Sequence, residues 1–437
     1  MKLAIISDTH FGDEMCQLVN HHTLDKGPKY DAFFAAAGKD NDFLILLGDI
    51  FDFSISNYGD AYRVAKAFFK LIQKDQIAKN IIYVPGNHDF DMWTNVQHQF
   101  KIIYQVNKGR PAKPFQWSLP GVIDDREGSA TRGFMLPGVI DGIIDPNIPP
   151  LGAKKSFLNN ITKNENGSGG KPTNFYFAYP NLYLAAKGKS YLITHGQYLE
   201  AYWSLAGEWI RNIAQKDLKG NDPLNLDDIV ALNSPLCQLA CSGIGQAGIL
   251  TALVNKIQRE VKDGNPGRVR KYLDRLDDDI DKLTTWHWYD PKSWGKELLT
   301  DLVSNKAKDQ IMESIENSRG SRYSKEFMKN KGVQARFMDY FRFSRLEMKG
   351  LKDSHGRSLR LPEVRRVIFG HTHRPNKWKS RKAIPLEVDN RSVKLHNTGG
   401  WLTRKVGNTT EFCGAAVFTY DSATGFDSIE IDVPADN

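Results

Sequence analysis

The chain has 437 residues, more than one average domain needs, so a core domain carrying a second module is expected. Hydrophobic residues make up 41% and charged residues 25%, as in an ordinary soluble globular protein, and four cysteines are too few for a disulfide framework. The net charge of +8 suits an anionic partner, without choosing among a phosphate substrate, a nucleic acid and an acidic membrane surface.

In chain order, the N-terminus reads MKLAIISDTH. It has no long apolar leader and runs straight into an apparent strand, which predicts a cytoplasmic protein. Leu3 to Ser7, Phe43 to Leu47 and Ile81 to Val84 are short apolar runs that read as buried strands. Between them lie helical patterns. Tyr58 to Lys74 sets Tyr62, Ala65, Phe69 and Ile72 on one face. Strand, helix, strand, helix, strand implies parallel pairing through right-handed crossovers. From Gly109 to Lys171 the signal is poor, with recurring prolines and a glycine-rich loop at Asn164 to Gly170. Strand patterns return at Asn174 to Ala178, Leu182 to Ala186 and Ser190 to Thr194, the last two flanking a hairpin turn at Lys187-Gly188-Lys189.

Residues 198–355 read as an inserted helical domain. Leu199 to Ile213, Leu226 to Val261, Pro266 to Leu283, Lys296 to Ser318 and Ser324 to Met348 are its candidate helices. Ile229 to Asn255 carries no charge, but its polar residues and its glycine and proline breaks oppose a transmembrane segment. A buried helical hairpin or an apolar wall facing the substrate is expected instead. Cys237 and Cys241, four apart, read as small buried residues. The strand-rich core, begun in 1–197, resumes over 356–437 with Arg366 to Phe369, Val393 to His396, Ala415 to Tyr420 and Ser428 to Asp432.

Five short segments carry chemistry: Asp8-Thr9-His10, Gly48-Asp49, Gly86-Asn87-His88-Asp89, Thr194-His195-Gly196 and Gly370-His371-Thr372-His373. Each follows an apolar strand-like run, and open α/β sheets gather ligands at the carboxyl ends of strands. The segments therefore converge on one crevice. Imidazole mixed with carboxylate suits Mn, Fe or Zn. Seven ligands are too many for one ion with an open position. Two ions sharing a carboxylate, at roughly 3.5–4 Å, fit better. Asp49 is the candidate bridge.

The order Asp-x-His, Gly-Asp, Gly-Asn-His-Asp, His-Gly, Gly-His-Thr-His resembles the calcineurin-like metallophosphoesterase superfamily, over about residues 1 to 200 and 360 to 437. The resemblance implies a four-layer α/β/β/α sandwich. It also implies two divalent metal ions, Mn foremost, then Fe or Zn. Asp8, His10 and His373 would hold one; Asn87, His195 and His371 the other; Asp49 would bridge. A hydroxide between the ions would attack phosphorus in line. His88 would bond a phosphate oxygen or protonate the leaving group, with Asp89 orienting its ring, and Asp52 would support a ligand histidine. Protein Ser/Thr phosphatases of this superfamily have arginine where Phe53 stands and glutamate where Asp89 stands. The lipid A pathway pyrophosphatases usually have arginine in place of His88. The double-strand-break repair nucleases place their cap after the last histidine motif, whereas here the extra domain precedes it. None of these subfamilies fits fully.

The expected substrate is a small or lipid-like phosphoester or phosphoanhydride under a helical lid. Two rivals are a nuclease acting on DNA or RNA and a non-catalytic, metal-stabilised binding module. Arg374, directly after a metal ligand, and His396, beside Asn397-Thr398-Gly399, are candidate substrate contacts. Arg365 and Arg366 read as solvated charge, and His98 as a structural residue on a helix. His21 and His22 read as surface residues. The aromatic cluster Trp286, His287, Trp288, Tyr289 and Trp294 reads as core of the insertion.

Overall fold

The computed structural model describes residues 1–129, 133–136, 139–140, 174–199, 225–238, 246, 331–353, 355–379, 385–406 and 409–432. The strands are β1 (Lys2–Ile6), β2 (Asn41–Leu47), β3 (Ala78–Val84), β4 (Gly121–Asp124), β5 (Gly133–Leu136), β6 (Val139–Ile140), β7 (Asn174–Phe177), β8 (Asn181–Ala186) and β9 (Lys189–Thr194). They continue with β10 (Val364–Phe369), β11 (Pro385–Val388), β12 (Arg391–Asn397), β13 (Thr403–Val406), β14 (Thr409–Phe412), β15 (Ala415–Asp421) and β16 (Gly425–Ile431).

They form two seven-stranded sheets, in the orders β16-β15-β1-β2-β3-β7-β6 and β11-β12-β10-β9-β8-β4-β5, and a small β13-β14 hairpin. In the first sheet β1, β2, β3 and β7 run parallel, as the strand–helix alternation requires. In the second, β10 lies parallel to both β9 and β12. The β8–β9 hairpin turns through Lys187 and Gly188, both with positive φ (48° and 71°), the two-residue turn whose twist matches paired strands.

Side-chain alternation sorts the core into layers. Phe43, Ile45 and Leu47 of β2 meet Leu182, Leu184, Ile193 and Ile368 of the second sheet, while Leu44 and Leu46 face helices. Those helices are α1 (Tyr30–Ala37) and α2 (Tyr58–Lys74). The latter begins at Asn57, whose side chain accepts the Asp60 N–H, and buries Ala65, Phe69 and Ile72 as the spacing predicts. After β3, α3 (Asp91–Gln97) runs through a π-helical turn (His98–Ile103) into α4 (Tyr104–Asn107). His98 is structural here: its Nδ1 lies 2.9 Å from Thr94 O.

Within the segment read as an insertion, α5 (Leu226–Cys237) starts in a capping box of Asn225 and Asp228, and Cys237 is buried. The helix α6 (Lys331–Gly350) packs on the outer face of the second sheet. Tyr340 Oη donates to Asn181 Oδ1 at 2.7 Å and lies 3.0 Å from Thr194 Oγ1. Glu347 accepts hydrogen bonds from Ser118, Asn181 and Tyr183. This helix is thus the fourth layer of the α/β/β/α sandwich, and the outer layer of the core includes residues that the sequence pattern assigned to a separate domain. Cys241, the candidate helices at 199–213, 266–283 and 296–318, and the aromatic cluster at 286–294 lie outside the described residues. Among the described residues, no helix is long and apolar enough to cross a membrane.

Several strands escaped the sequence pattern. β4 is four residues long behind a run of prolines, too short for periodicity to register. β11 opens with Pro385 at a sheet edge, where proline is tolerated but weakens any strand reading.

The buried network at Glu347 gives a test of how the outer helix is held. Tyr183→Phe removes a hydroxyl that donates to Glu347 and accepts from Asn181. It is expected to lower unfolding free energy by about 1–3 kcal/mol, read from the guanidinium unfolding curve.

Candidate metal centre

Six strand ends supply the site. Asp8 follows β1, Asp49 follows β2, Asn87 and His88 follow β3, His195 follows β9, His371 and His373 follow β10, and Thr398 follows β12. To aim side chains at one point, the chain must bend sharply at each strand end. Asp8, His10, Asp49, His371 and His373 all have φ between 48° and 68°, in the left-handed region. Each such residue costs of order 1–3 kcal/mol, and strain of this kind gathers at functional sites.

Close packing accompanies the bends. A Cβ on Gly86 would overlap the Asp49 carboxylate, and one on Gly370 would overlap Asp8 and Ser7. Glycine is required at these two positions by backbone approach to a ligand side chain.

The seven residues singled out as metal ligands come together and are buried. Asp8, His10 and His373 each offer an atom, all within 4.8 Å of one another, and so do Asp49, His195 and His371. His373 Nε2 lies 3.2 Å from Asp8 Oδ1 and 3.1 Å from His10 Nε2. Asp49 Oδ2 stands between the groups, 3.2 Å from His195 Nε2 and 3.8 Å from His10 Nε2. Asn87 Oδ1 lies 3.3 Å from His195 Nε2.

Hydrogen bonds behind the ligands fix which ring nitrogen faces inward. His10 Nδ1 lies 2.8 Å from Asp52 Oδ2, and His195 Nδ1 lies 2.9 Å from Leu47 O. A carboxylate and a carbonyl only accept, so both Nδ1 atoms donate and both Nε2 atoms turn to the centre. The Asp8 carboxylate is held by Ser7 Oγ and by the His371 N–H, and Ser7 Oγ lies 2.5 Å from Thr398 Oγ1.

Electrostatics follow from this crowding. Burial opposes charge on Asp49, but His195, His88 and His10 outweigh it and hold the carboxyl well below the usual range. Asp52 is lowered likewise, against burial, by His88 and His10. Burial would push the imidazoles of His10 and His195 down. Asp52, Asp49 and Asp8 carry His10 up to about 9, and Asp49 with Asp8 does the same for His195.

These residues fit a divalent cation. Asp49 Oδ2 is buried and accepts no hydrogen bond, an arrangement that is costly for an ionised oxygen unless a cation faces it. The imidazole and carboxylate donors are those that bind Mn, Fe or Zn.

Two expectations need correction. Asp89 does not orient His88. Its carboxylate turns under the loop instead, accepting from the Gly86 and Ile50 N–H groups at 2.6 and 2.7 Å and from Tyr83 Oη. Burial and the nearby Asp49 push its carboxyl up to about 6. The ring of His88 is held by Asp52 Oδ1 at 3.0 Å and Ser54 Oγ at 2.9 Å. His396 does not reach the centre. Alternation along β12 turns it into the inter-sheet core, 3.2 Å from Arg366 Nη1 and tilted against Trp378 with ring centroids 4.6 Å apart, while the next residue, Asn397, donates to Gly370 O. Arg366 lies over the Trp378 ring, and Arg365 pairs with Glu363. Arg374 is half-buried directly beyond His373.

The sequence reading passed over Ser7, Ser54 and Tyr83. Ser7 adjoins Asp8, and Tyr83 lies six residues before Asp89, but neither carries a motif. Gln246, from the uncharged stretch, also reaches the edge of this region. Its amide bonds Tyr58 N–H at 3.1 Å and Ser56 O at 3.3 Å.

A two-sheet sandwich that collects histidines and aspartates at the carboxyl ends of its strands defines an α/β protein able to hold metal there. The family model of the calcineurin-like phosphoesterases matches residues 1–160, which include Asp8, His10, Asp49, Asn87 and His88, and supports a likeness to the metallophosphoesterase superfamily over that part of the chain. That family implies metal-dependent phosphoester hydrolysis, and the His/Asp clusters here can hold the metal. No curated protein matches the chain.

The raised imidazoles set a pH dependence. Their folded values of about 9 exceed the ordinary 6.5. In the metal-free protein these protons stabilise the fold fully below pH 6.5, and that stability fades as pH rises through about 9. A cation needs neutral nitrogens, so its binding expels protons. Calorimetric titration with Mn²⁺ in buffers of different ionisation heat is expected to show proton release at pH 7. The apparent affinity is expected to climb with pH until about 9.

Proposed function

We propose that the chain hydrolyses phosphoesters or phosphoanhydrides with a pair of divalent cations, Mn²⁺ foremost, with Fe or Zn as alternatives. Asp8, His10 and His373 would hold one, Asn87, His195 and His371 would hold the other, and Asp49 would serve both. The carrying observation is the buried Asp49 Oδ2 between His195 and His10, without a hydrogen bond of its own. When bound, such cations supply Lewis acidity, lowering the pKa of water and neutralising charge on phosphoryl oxygens.

The chain's own groups supply the rest. His88 has its Nδ1 engaged from behind, which leaves Nε2 to bond a phosphoryl oxygen or to donate a proton to the leaving oxygen. Asp52 joins this ring to the ligand His10 through its two oxygens, so metal binding and proton delivery share one support. Arg374, directly after His373 and half-buried, is our candidate for neutralising substrate phosphate.

We read the substrate as small or lipid-like, covered by part of the 198–355 segment. The contact of Gln246 with Ser56 and Tyr58, four and six residues beyond Asp52, supports this. So does the uncharged run from Ile229 to Asn255, which suits an apolar wall.

Purified protein supplied with Mn²⁺ is expected to hydrolyse p-nitrophenyl phosphate or bis-p-nitrophenyl phosphate. Asp49→Asn is expected to lower kcat by about 10²–10³-fold, with loss of bound metal. Full activity in Asp49→Asn would refute the shared-ligand assignment. A panel of nucleotides, lipid pyrophosphates and single-stranded DNA resolves the substrate. Cleavage confined to DNA, with binding that weakens steeply in salt, would mark a nuclease instead.

A further inference from the structure

We propose that Ser54 is a positioning residue for His88. With Asp52 it fixes the imidazole so that Nδ1 faces inward as a donor and Nε2 is presented to the phosphoester. This rests on the reading of His88 as the group that serves the substrate.

The geometry is a closed triangle. Ser54 is buried, at 1% exposure. Its Oγ lies 2.5 Å from Asp52 Oδ1 and 2.9 Å from His88 Nδ1, and Asp52 Oδ1 lies 3.0 Å from the same Nδ1. Asp52 Oδ2 is taken by His10. Counting protons fixes the roles. An ionised carboxylate only accepts, so the single hydroxyl proton of Ser54 goes to Asp52. The Ser54 oxygen then faces Nδ1 with a lone pair and accepts from it. His88 Nδ1 must therefore carry hydrogen, shared between two acceptors, whether the ring is neutral or charged. The Nε2 proton passes to the leaving oxygen as its bond to phosphorus breaks and the oxygen of the attacking water bonds phosphorus. The proton that this water releases returns to the ring, with Nδ1–H in place throughout.

The hydroxyl is not needed for the local fold. The Ser54 N–H already donates to Asp52 Oδ1 at 3.1 Å, a two-residue turn that alanine would keep. The side chain adds only the link to His88. Removing it leaves Nδ1 with a single hydrogen-bond partner, Asp52 Oδ1, and takes one donor from Asp52.

The test compares wild type, Ser54→Ala, Ser54→Thr and His88→Ala, as full-length protein with Mn²⁺, on phenyl and p-nitrophenyl esters of phosphate. Phenol is the poorer leaving group and needs the proton more. Ser54→Ala is expected to lower kcat about 10-fold on the phenyl ester, a fraction of the roughly 10²–10⁴-fold that a general acid supplies. The loss should be smaller on the p-nitrophenyl ester, with KM and bound metal unchanged, and Ser54→Thr should recover most of the rate. A purely structural serine would change both esters alike, and that result overturns the proposal. If His88→Ala is impaired while Ser54→Ala matches wild type, the Ser54 role fails alone. If His88→Ala matches wild type on both esters, the reading of His88 fails and takes the Ser54 role with it.

Discussion

An ionised carboxylate oxygen, out of water and facing imidazole nitrogens without a hydrogen bond, is the constraint around which this protein is built. Asp49 Oδ2 occupies that position. It gets there because β2 ends between β1 and β3, so the residue after the strand is surrounded by the residues after its neighbours. The second sheet brings His195 from β9 and His371 from β10 to the same edge. The two sheets press against each other through Ile45, Leu47, Leu184, Ile193 and Ile368, and this apolar interface keeps their strand ends in register.

Around that centre, polar groups are shared economically. Asp52 serves two rings, one on the metal side and one on the substrate side. Asp89 takes a neighbouring task. It satisfies the main-chain N–H groups of the Gly86 turn and of Ile50, and so stiffens the loop on which His88 stands. Asp8 is braced by Ser7, whose hydroxyl also meets Thr398 from the far end of the chain. A missing brace leaves a buried acceptor or donor unsatisfied, so such networks fail sharply when one member is removed.

Much of this was legible beforehand, for reasons specific to each part. The central strands β1 and β2 of the first sheet are largely apolar runs, since both faces are buried, and α2 has a clear apolar stripe, so both could be read directly. The ligands could be proposed because Asp, Asn and His recur directly after such runs. What escaped was decided by side-chain direction. His396 and Asn397 are adjacent, yet β12 sends one to the core and the other to the last histidine loop. Asp52 and Asp89 are both acids near His88, and only the fold of their loops decides which one meets its ring. That α6 packs on the second sheet was not legible, because helical periodicity identifies a buried face but not its partner.

The placement of β1 in the middle of its sheet has a consequence for how the chain is made. One neighbour, β2, follows within 50 residues, but the other, β15, begins at Ala415. During synthesis the growing polypeptide must carry β1 as a bare edge, apolar on both faces, until β15 has left the ribosome. Premature release or truncation upstream of Ala415 would leave that edge open to pairing with other chains.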